Sequence, residues 1–296
     1  MKILITGANG MLGTDLLEIL SENHQIFLTD IVDSIDYVSN NVKTEYYKLD
    51  ITDNEKTFHT ISKLNPDIVI HTAAYSDVDG CEKNPELAYK INSLGTRNIC
   101  VACQRFDTVL CYISTDYVFS GDDTPEDGYK EMDKTCPISV YGKSKYWGEF
   151  YVKHLLNKFY IIRTSSLFGK KRDNFISMIV RFINDKKNIN VVEDQYCCPT
   201  YTKHLAKGIS QLIEKPLYGI FHLTNSGGCS RYDVVKEIFK IMNKSTEITL
   251  TKREKIFYAK RPKDSRLNNY MWNLEGFSPL PQWQDAIKEF LVEYFL

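Results

Sequence analysis

Lys2-Ile3-Leu4-Ile5-Thr6-Gly7-Ala8-Asn9-Gly10-Met11-Leu12-Gly13 is the stretch that decides the fold. Its first five residues form a short apolar run of the kind that makes a strand buried on both faces. The next seven carry glycines in a G-x-x-G-x-x-G spacing and lead into a helical apolar pattern. Strand, glycine turn and helix in that order predict a βαβ unit whose turn holds an anion. Glycine lets the backbone bend sharply and approach a pyrophosphate, while the helix N-terminus offers unpaired N–H groups and a positive dipole end. Gly7, Asn9, Gly10, Met11, Leu12 and Gly13 are therefore the expected phosphate cradle of a dinucleotide site.

Outward from this stretch, short apolar runs at 26–30, 46–50, 67–74, 108–115 and 159–166 alternate with helical patterns. Such alternation predicts an α/β fold, a Rossmann-like doubly wound parallel sheet. Two helix starts are marked: Thr52 with Glu55 reads as a capping box, and Asn84 before Pro85 as an N-cap with proline at the first helical position. Beyond residue 169 the alternation loosens, with helices expected at 175–183 and 230–242 and strands at 189–193 and 219–224. The expected division is a dinucleotide-binding domain over 1–168 and a smaller α/β substrate domain over 169–296, with the chain crossing back to the sheet near 189–225. Trp283, Ile287, Phe290, Leu291 and Tyr294 line one face of a final helix and read as core.

Composition narrows the function. In 296 residues, 37 Lys+Arg stand against 38 Asp+Glu, a net charge of -1 that argues against a nucleic-acid binder, which must neutralise phosphates. No apolar run reaches the roughly 18 residues of a membrane helix, and Met1 to Gly7 lack a signal-peptide h-region, so a cytoplasmic protein is expected. The eight cysteines fit reduced thiols in a chain large enough to need no stapling. Cys100 and Cys103 form one C-x-x-C without a second pair, so no metal site is expected. A vicinal redox role for Cys197-Cys198 is the less favoured reading of that pair.

Asp30 follows the glycine turn at the spacing of a ribose-binding carboxylate and would repel a 2'-phosphate; Ile31, Val32 and Asp33 add no cation. The cofactor is thus NADH or NADPH, with NADH favoured. Ligands of such sheets lie at the carboxyl ends of strands, so Asp50 and Ile51 are expected beside the adenine, and Ala73, Ala74 and Tyr75 beside the pyrophosphate and ribose.

The chemistry points to a second stretch. Tyr141 and Lys145 in Tyr-Gly-Lys-Ser-Lys stand four apart, on one face of a helix over 140–156. A phenol is a poor acid–base group at neutral pH, and the lysine ammonium is expected to lower its pKa. Upstream, Ser114-Thr115-Asp116-Tyr117 ends a strand where a nicotinamide would lie. A hydroxyl donor, a tuned phenol and a hydride carrier suit reversible reduction of a ketone. Side chains alternate along a strand, so Ser114 and Thr115 face opposite ways.

These segments, with HTAAYSDVDGCE from His71, RTSSLFG from Arg163, DQYCCPTYT from Asp194 and RPKDSRLNN from Arg261, resemble the extended short-chain dehydrogenase/reductase superfamily, and within it the dTDP-4-dehydrorhamnose reductases. The resemblance spans nearly the whole chain. It implies an NAD(P)-dependent oxidoreductase that reduces the C4 ketone of a 4-keto-6-deoxy sugar nucleotide, dTDP-4-dehydro-L-rhamnose to dTDP-L-rhamnose, in dTDP-rhamnose biosynthesis. Thr115, Tyr141 and Lys145 would be catalytic, with Lys145 also on the nicotinamide ribose and Asn92 supporting the cofactor side. Tyr117, Asn174, Phe175, Arg261 and Arg266 would contact the nucleotide sugar. Two departures bear on the sugar: Ser166 stands where such proteins usually carry a tryptophan, and Cys197-Cys198 where many carry small residues. A 4,6-dehydratase would need a glutamate after Asp116, where this chain has Tyr117. A reductase or epimerase of another nucleotide sugar, a non-catalytic NAD(P)-binding regulatory subunit and a homodimer remain open at this stage.

Overall fold

Burial on both faces makes the first strand the spine of the sheet. The computed structural model describes residues 1–35 and 44–296. In it β1 (Lys2–Thr6) sends Ile3 and Ile5 into one core with Leu12 and Leu16, and Leu4 into another with Ile61 and Leu110. The remaining strands are β2 (Gln25–Asp30), β3 (Thr44–Lys48), β4 (Ile68–His71), β5 (Val109–Thr115), β6 (Phe159–Thr164) and a seventh, Gly219–His222. Their order across the sheet is β3-β2-β1-β4-β5-β6 and then the seventh, every neighbour parallel. The α/β Rossmann-like class expected from the alternation is therefore the observed one. The order reverses between β1 and β4, the switch point at whose carboxyl edge such folds open a crevice.

Strand ends are shorter than the apolar runs. β3 stops at Lys48, so Asp50 and Ile51 lie in the turn beyond it, and β4 stops at His71, leaving Ala73, Ala74 and Tyr75 in a loop. The helices of this half are α1 (Met11–Leu20), α2 (Asn54–Leu64), α3 (Val78–Lys83), α4 (Pro85–Tyr89), α5 (Thr96–Phe106) and α6 (Val140–Leu155), with one π-helical turn at Lys90–Gly95. The capping box expected of Thr52 and Glu55 is not formed. Asp53 caps α2 instead, accepting the Lys56 N–H at 3.0 Å, while the Thr52 N–H is taken by Asp50. A carboxylate at the N-cap attracts the helix dipole more strongly than a hydroxyl. Asn84 caps α4 ahead of Pro85.

In the second half, α7 (Phe175–Asn184), α9 (Arg231–Met242) and Trp283–Tyr294 enclose a separate core that includes Ile179, Val235, Trp283 and Phe290. Between them in sequence, α8 (Thr202–Ile213) packs Leu205 and Ile209 into the core beneath β1. Ile189–Val192 does not join the large sheet; it pairs in parallel with Ile248–Thr251. Among the described residues no helix is long and apolar enough to cross a membrane.

Gly13 shows how closely α1 lies on the turn before it. A Cβ there would stand 2.6 Å from the Gly7 oxygen and 2.7 Å from Ala8 Cα, both backbone atoms that cannot swing away. Alanine normally favours a helix over glycine by about 1 kcal/mol. Gly13→Ala is expected to do the reverse, costing about 1–3 kcal/mol of stability through overpacking, as a lower urea midpoint will show.

Candidate active site

At the switch point the carboxyl ends of β1, β4 and β5 open into a cavity of about 670 Å³. Its floor is the glycine turn. Gly7 sits at φ +69, and a Cβ on it would stand 2.7 Å from Ala73 backbone, so only glycine brings the two loops this close. Gly10 opens α1 in extended conformation without any side-chain cap, so no side chain takes the first-turn N–H groups, and Gly10, Met11 and Leu12 line the cavity. This cradle fits a dinucleotide pyrophosphate, with Met11 and Leu12 alongside.

Asp30 lies on the adenosine side, its carboxylate accepting the N–H groups of Asn9 at 2.9 Å and Ile31 at 2.8 Å. Asp50, Ile51, Ala73 and Ala74 also line the cavity. Tyr75 does not. Its backbone is clamped by Asn92, which accepts the Tyr75 N–H and donates to the Tyr75 carbonyl, and its hydroxyl abuts Gly80. Asn92 is buried and also donates to Ser144 Oγ at 2.9 Å, so it ties this loop to α6 without reaching the cavity.

On the nicotinamide side the end of β5 divides its hydroxyls as alternation requires. Ser114 donates to buried Glu149 at 2.6 Å, and Thr115, whose hydroxyl donates to Asp116 at 3.1 Å, lines the cavity together with Tyr141. Lys145 follows Tyr141 by one helical turn, its Nζ donating to the Ile113 carbonyl at 2.6 Å and lying 4.1 Å from the Tyr112 ring centre. The electrostatics differ from the expectation of a lysine-lowered phenol. Burial, joined by the charges of Asp116 and its neighbours, pushes the Tyr141 phenol up, and burial pulls Lys145 down to about 7. Loss of water outweighs the pairing because each charged form is solvated poorly here.

The two arginines expected to meet the substrate separate. Arg261 lines the cavity, pairs with Asp79 at 3.1 Å, stacks 3.9 Å over the Phe257 ring and keeps a buried Nε without a partner. Arg266 is withdrawn, because Asp264 takes its guanidinium through contacts of 2.8–3.0 Å. Asn174 is likewise occupied: it caps α7 through the N–H groups of Ile176 and Ser177 and donates to the Gly169 carbonyl. Phe175 lies under a cation that the sequence reading missed, Arg231, 4.7 Å from its ring centre. Arg231 lines the cavity and donates to Gln195, which in turn donates to the Tyr117 hydroxyl at 3.0 Å. A signal for it existed in Ser230-Arg231, a cap followed by a cation at a helix start. Ser166, at φ +45, and Cys197 also line the cavity.

Asp116 was also missed as a site residue, although it adjoins Thr115 in sequence. Its buried carboxylate accepts hydroxyls from Thr115 at 3.1 Å, Ser165 at 2.8 Å and Ser265 at 2.5 Å. Three donors converging on one anion join β5, the end of β6 and the 260s loop at the cavity floor.

Comparison with known proteins agrees along the whole chain. The family described as RmlD substrate binding domain matches residues 1–295. A Bacillus subtilis protein named spore coat polysaccharide biosynthesis protein SpsK is 34% identical, over 99% of this chain and 97% of that protein. A protein of Aggregatibacter actinomycetemcomitans named dTDP-4-dehydrorhamnose reductase is 32% identical over 97% of each. A Bacillus anthracis crystal structure described as dTDP-4-dehydrorhamnose reductase in complex with NADP is 38% identical, with a TM-score of 0.87 over 99% of both chains.

Asp116 generates a pH-dependent stability. Burial raises its carboxyl to about 6, opposed by the hydroxyls of Ser265, Ser165 and Thr115. A raised pKa means that the native state binds more protons than the unfolded chain between about pH 4 and 6, so stability falls as pH rises through that window. The full effect is about 3 kcal/mol. Asp15, raised to about 6 by its own burial, adds a parallel slope in both proteins. Urea unfolding from pH 4 to 6.5 is expected to give a flatter profile for Asp116→Asn than for the wild type.

Proposed function

The chain belongs to the RmlD substrate binding domain family, and from that membership we propose that it is an NAD(P)H-dependent reductase of the C4 ketone of a dTDP-4-keto-6-deoxy sugar, making dTDP-L-rhamnose from dTDP-4-dehydro-L-rhamnose. The observation that carries this reading is that Thr115, Tyr141 and Lys145 line the same cavity as the glycine turn.

A bound nicotinamide supplies the hydride. The chain's own residues handle the oxygen. Tyr141, held protonated by burial, is in the form that donates a proton to the nascent alkoxide. Thr115, whose hydroxyl otherwise donates to Asp116, turns that proton to the same oxygen and sets its angle. Lys145, one turn along, compensates the phenolate left behind. Arg231 and Arg261 present guanidiniums suited to a diphosphate, each spread over an aromatic face that limits their rotamers. Ser166 and Cys197 leave a small polar wall for the hexose.

NADH is the proposed preferred cofactor. The Asp30 carboxylate would face a 2'-phosphate, and Lys48, its register partner on β3, is paired with Asp33 at 2.5 Å. The Bacillus anthracis relative was crystallised with NADP, so the kcat/KM ratio for the two cofactors is the deciding number; a higher value with NADPH overturns the Asp30 argument.

Tyr141→Phe is expected to lower kcat by about 10²–10⁴ while cofactor affinity stays within a few fold. NADH oxidation with dTDP-4-keto-6-deoxy sugars, with and without a 3,5-epimerase to supply the L-configured ketone, measures the first, and fluorescence titration the second. Turnover with no keto sugar despite tight cofactor binding would replace the reductase by a regulatory subunit.

A further inference from the structure

Tyr141, Lys145 and Glu149 form one stripe along α6, each a turn beyond the last. The first two have been accounted for; the third has not. Glu149 is wholly buried, and its two oxygens are fully engaged: Arg163 on β6 reaches them through Nε at 2.9 Å and Nη2 at 2.8 Å, and Ser114 on β5 donates to Oε1 at 2.6 Å. Arg163 is itself 2% exposed and also donates to the Glu131 carbonyl. A buried ion pair of this kind costs desolvation and is weak evidence for stability. Its place therefore calls for another role.

We propose that Glu149 is a positioning residue for the reduction: locked by Arg163 and Ser114, its carboxylate is the buried counter-charge of the Lys145 ammonium and ties the helix of Tyr141 and Lys145 to the strand of Thr115. This rests on the reductase reading above. The contact is stiff. At Gly148 a Cβ would stand 2.2 Å from the Tyr112 hydroxyl, so α6 lies directly on β5 between Lys145 and Glu149. Tyr112 itself donates to the Lys145 carbonyl at 3.2 Å.

The groups facing the pair leave this task to Glu149. On β4, His71 is pushed down to about 3 by burial and by Lys145, so it is neutral at pH 7. On β5, burial drives the Tyr112 phenol well up, so it too is uncharged. Tyr141 on α6 is protonated. Burial pulls Lys145 down, and Glu149 is the charge that opposes this. Glu149 is held low by Arg163, Ser114 and, from its own helix, Lys153, against its own burial. Removing the Glu149 charge leaves the ammonium in a dry site without its anion, so it loses its proton at lower pH.

The test uses the full chain with NADH. Titration of ¹³C-lysine-labelled protein by NMR, with the Lys145 signal assigned by its loss in Lys145→Met, is expected to move down by about one pH unit in Glu149→Gln. In turnover the limb where kcat falls with rising pH moves down by the same amount, so that kcat at pH 8 drops about tenfold while KM for the sugar nucleotide changes less than twofold. Glu149→Asp, which keeps the charge, leaves the titration and the pH limb close to their wild-type positions. Should Glu149→Gln fail to fold, the double variant Glu149→Met/Arg163→Met removes both charges without leaving either orphaned, and a smaller shift in the same downward direction is expected, because loss of the cation partly offsets loss of the anion. An unmoved Lys145 titration in a folded variant overturns the proposal. Absence of turnover in the wild type overturns the reductase reading alone, since the NMR titration still decides the role of Glu149.

Discussion

Side chains alternate along a strand, and at the end of β5 that constraint sends two adjacent hydroxyls to opposite sides of the sheet edge. Thr115 enters the cavity beside Tyr141, while Ser114 turns to the buried Glu149–Arg163 pair. A shift of one residue in register would turn Thr115 away from the cavity and break the Ser114 bond to Glu149. The rest of the architecture keeps this from happening. β5 is bracketed by β4 and β6 in parallel register, and α6 is pressed onto it where glycine alone permits the approach.

Desolvation governs the charges around that point more than pairing does. Burial raises Asp116 and Tyr141 and lowers Lys145 and His71. Each shift favours the neutral form; three hydroxyls oppose it at Asp116, and Thr6 and Thr96 hydrogen-bond the neutral His71 ring. The site is thus a polar network set in a dry sheet edge, where small changes in charge act strongly.

Cations at the cavity mouth follow a different rule. Arg231 and Arg261 rest on Phe175 and Phe257 and are steered by Gln195 and Asp79. Arg266, close to Arg261 in the chain, is consumed by Asp264 two residues away. Arg231 and Arg261 line the cavity and Arg266 does not, a division that depends on how the 260s loop folds back.

How much was legible in the chain follows from the range of each interaction. Six parallel strands, the glycine turn, Asp30 and the Tyr141–Lys145 pair could be read from sequence, because they depend on local periodicity, backbone freedom and spacing within one element; alternation showed that Ser114 and Thr115 face opposite ways, and the choice of Thr115 came from the family resemblance. Arg231, Gln195 and Asp116 could not be singled out, nor could the withdrawal of Arg266 and Asn174 be foreseen, because their partners arrive from elements 30 to 150 residues distant or are chosen by loop geometry. The direction of the Tyr141 shift was misjudged for the same reason: spacing reveals a neighbouring charge but not how much water remains around it. Sequence by itself determined the sheet, its phosphate turn and the residues able to do acid–base work; tertiary structure alone decided which cations stay free and which protons are held, since burial and pairing exist only once distant segments have met.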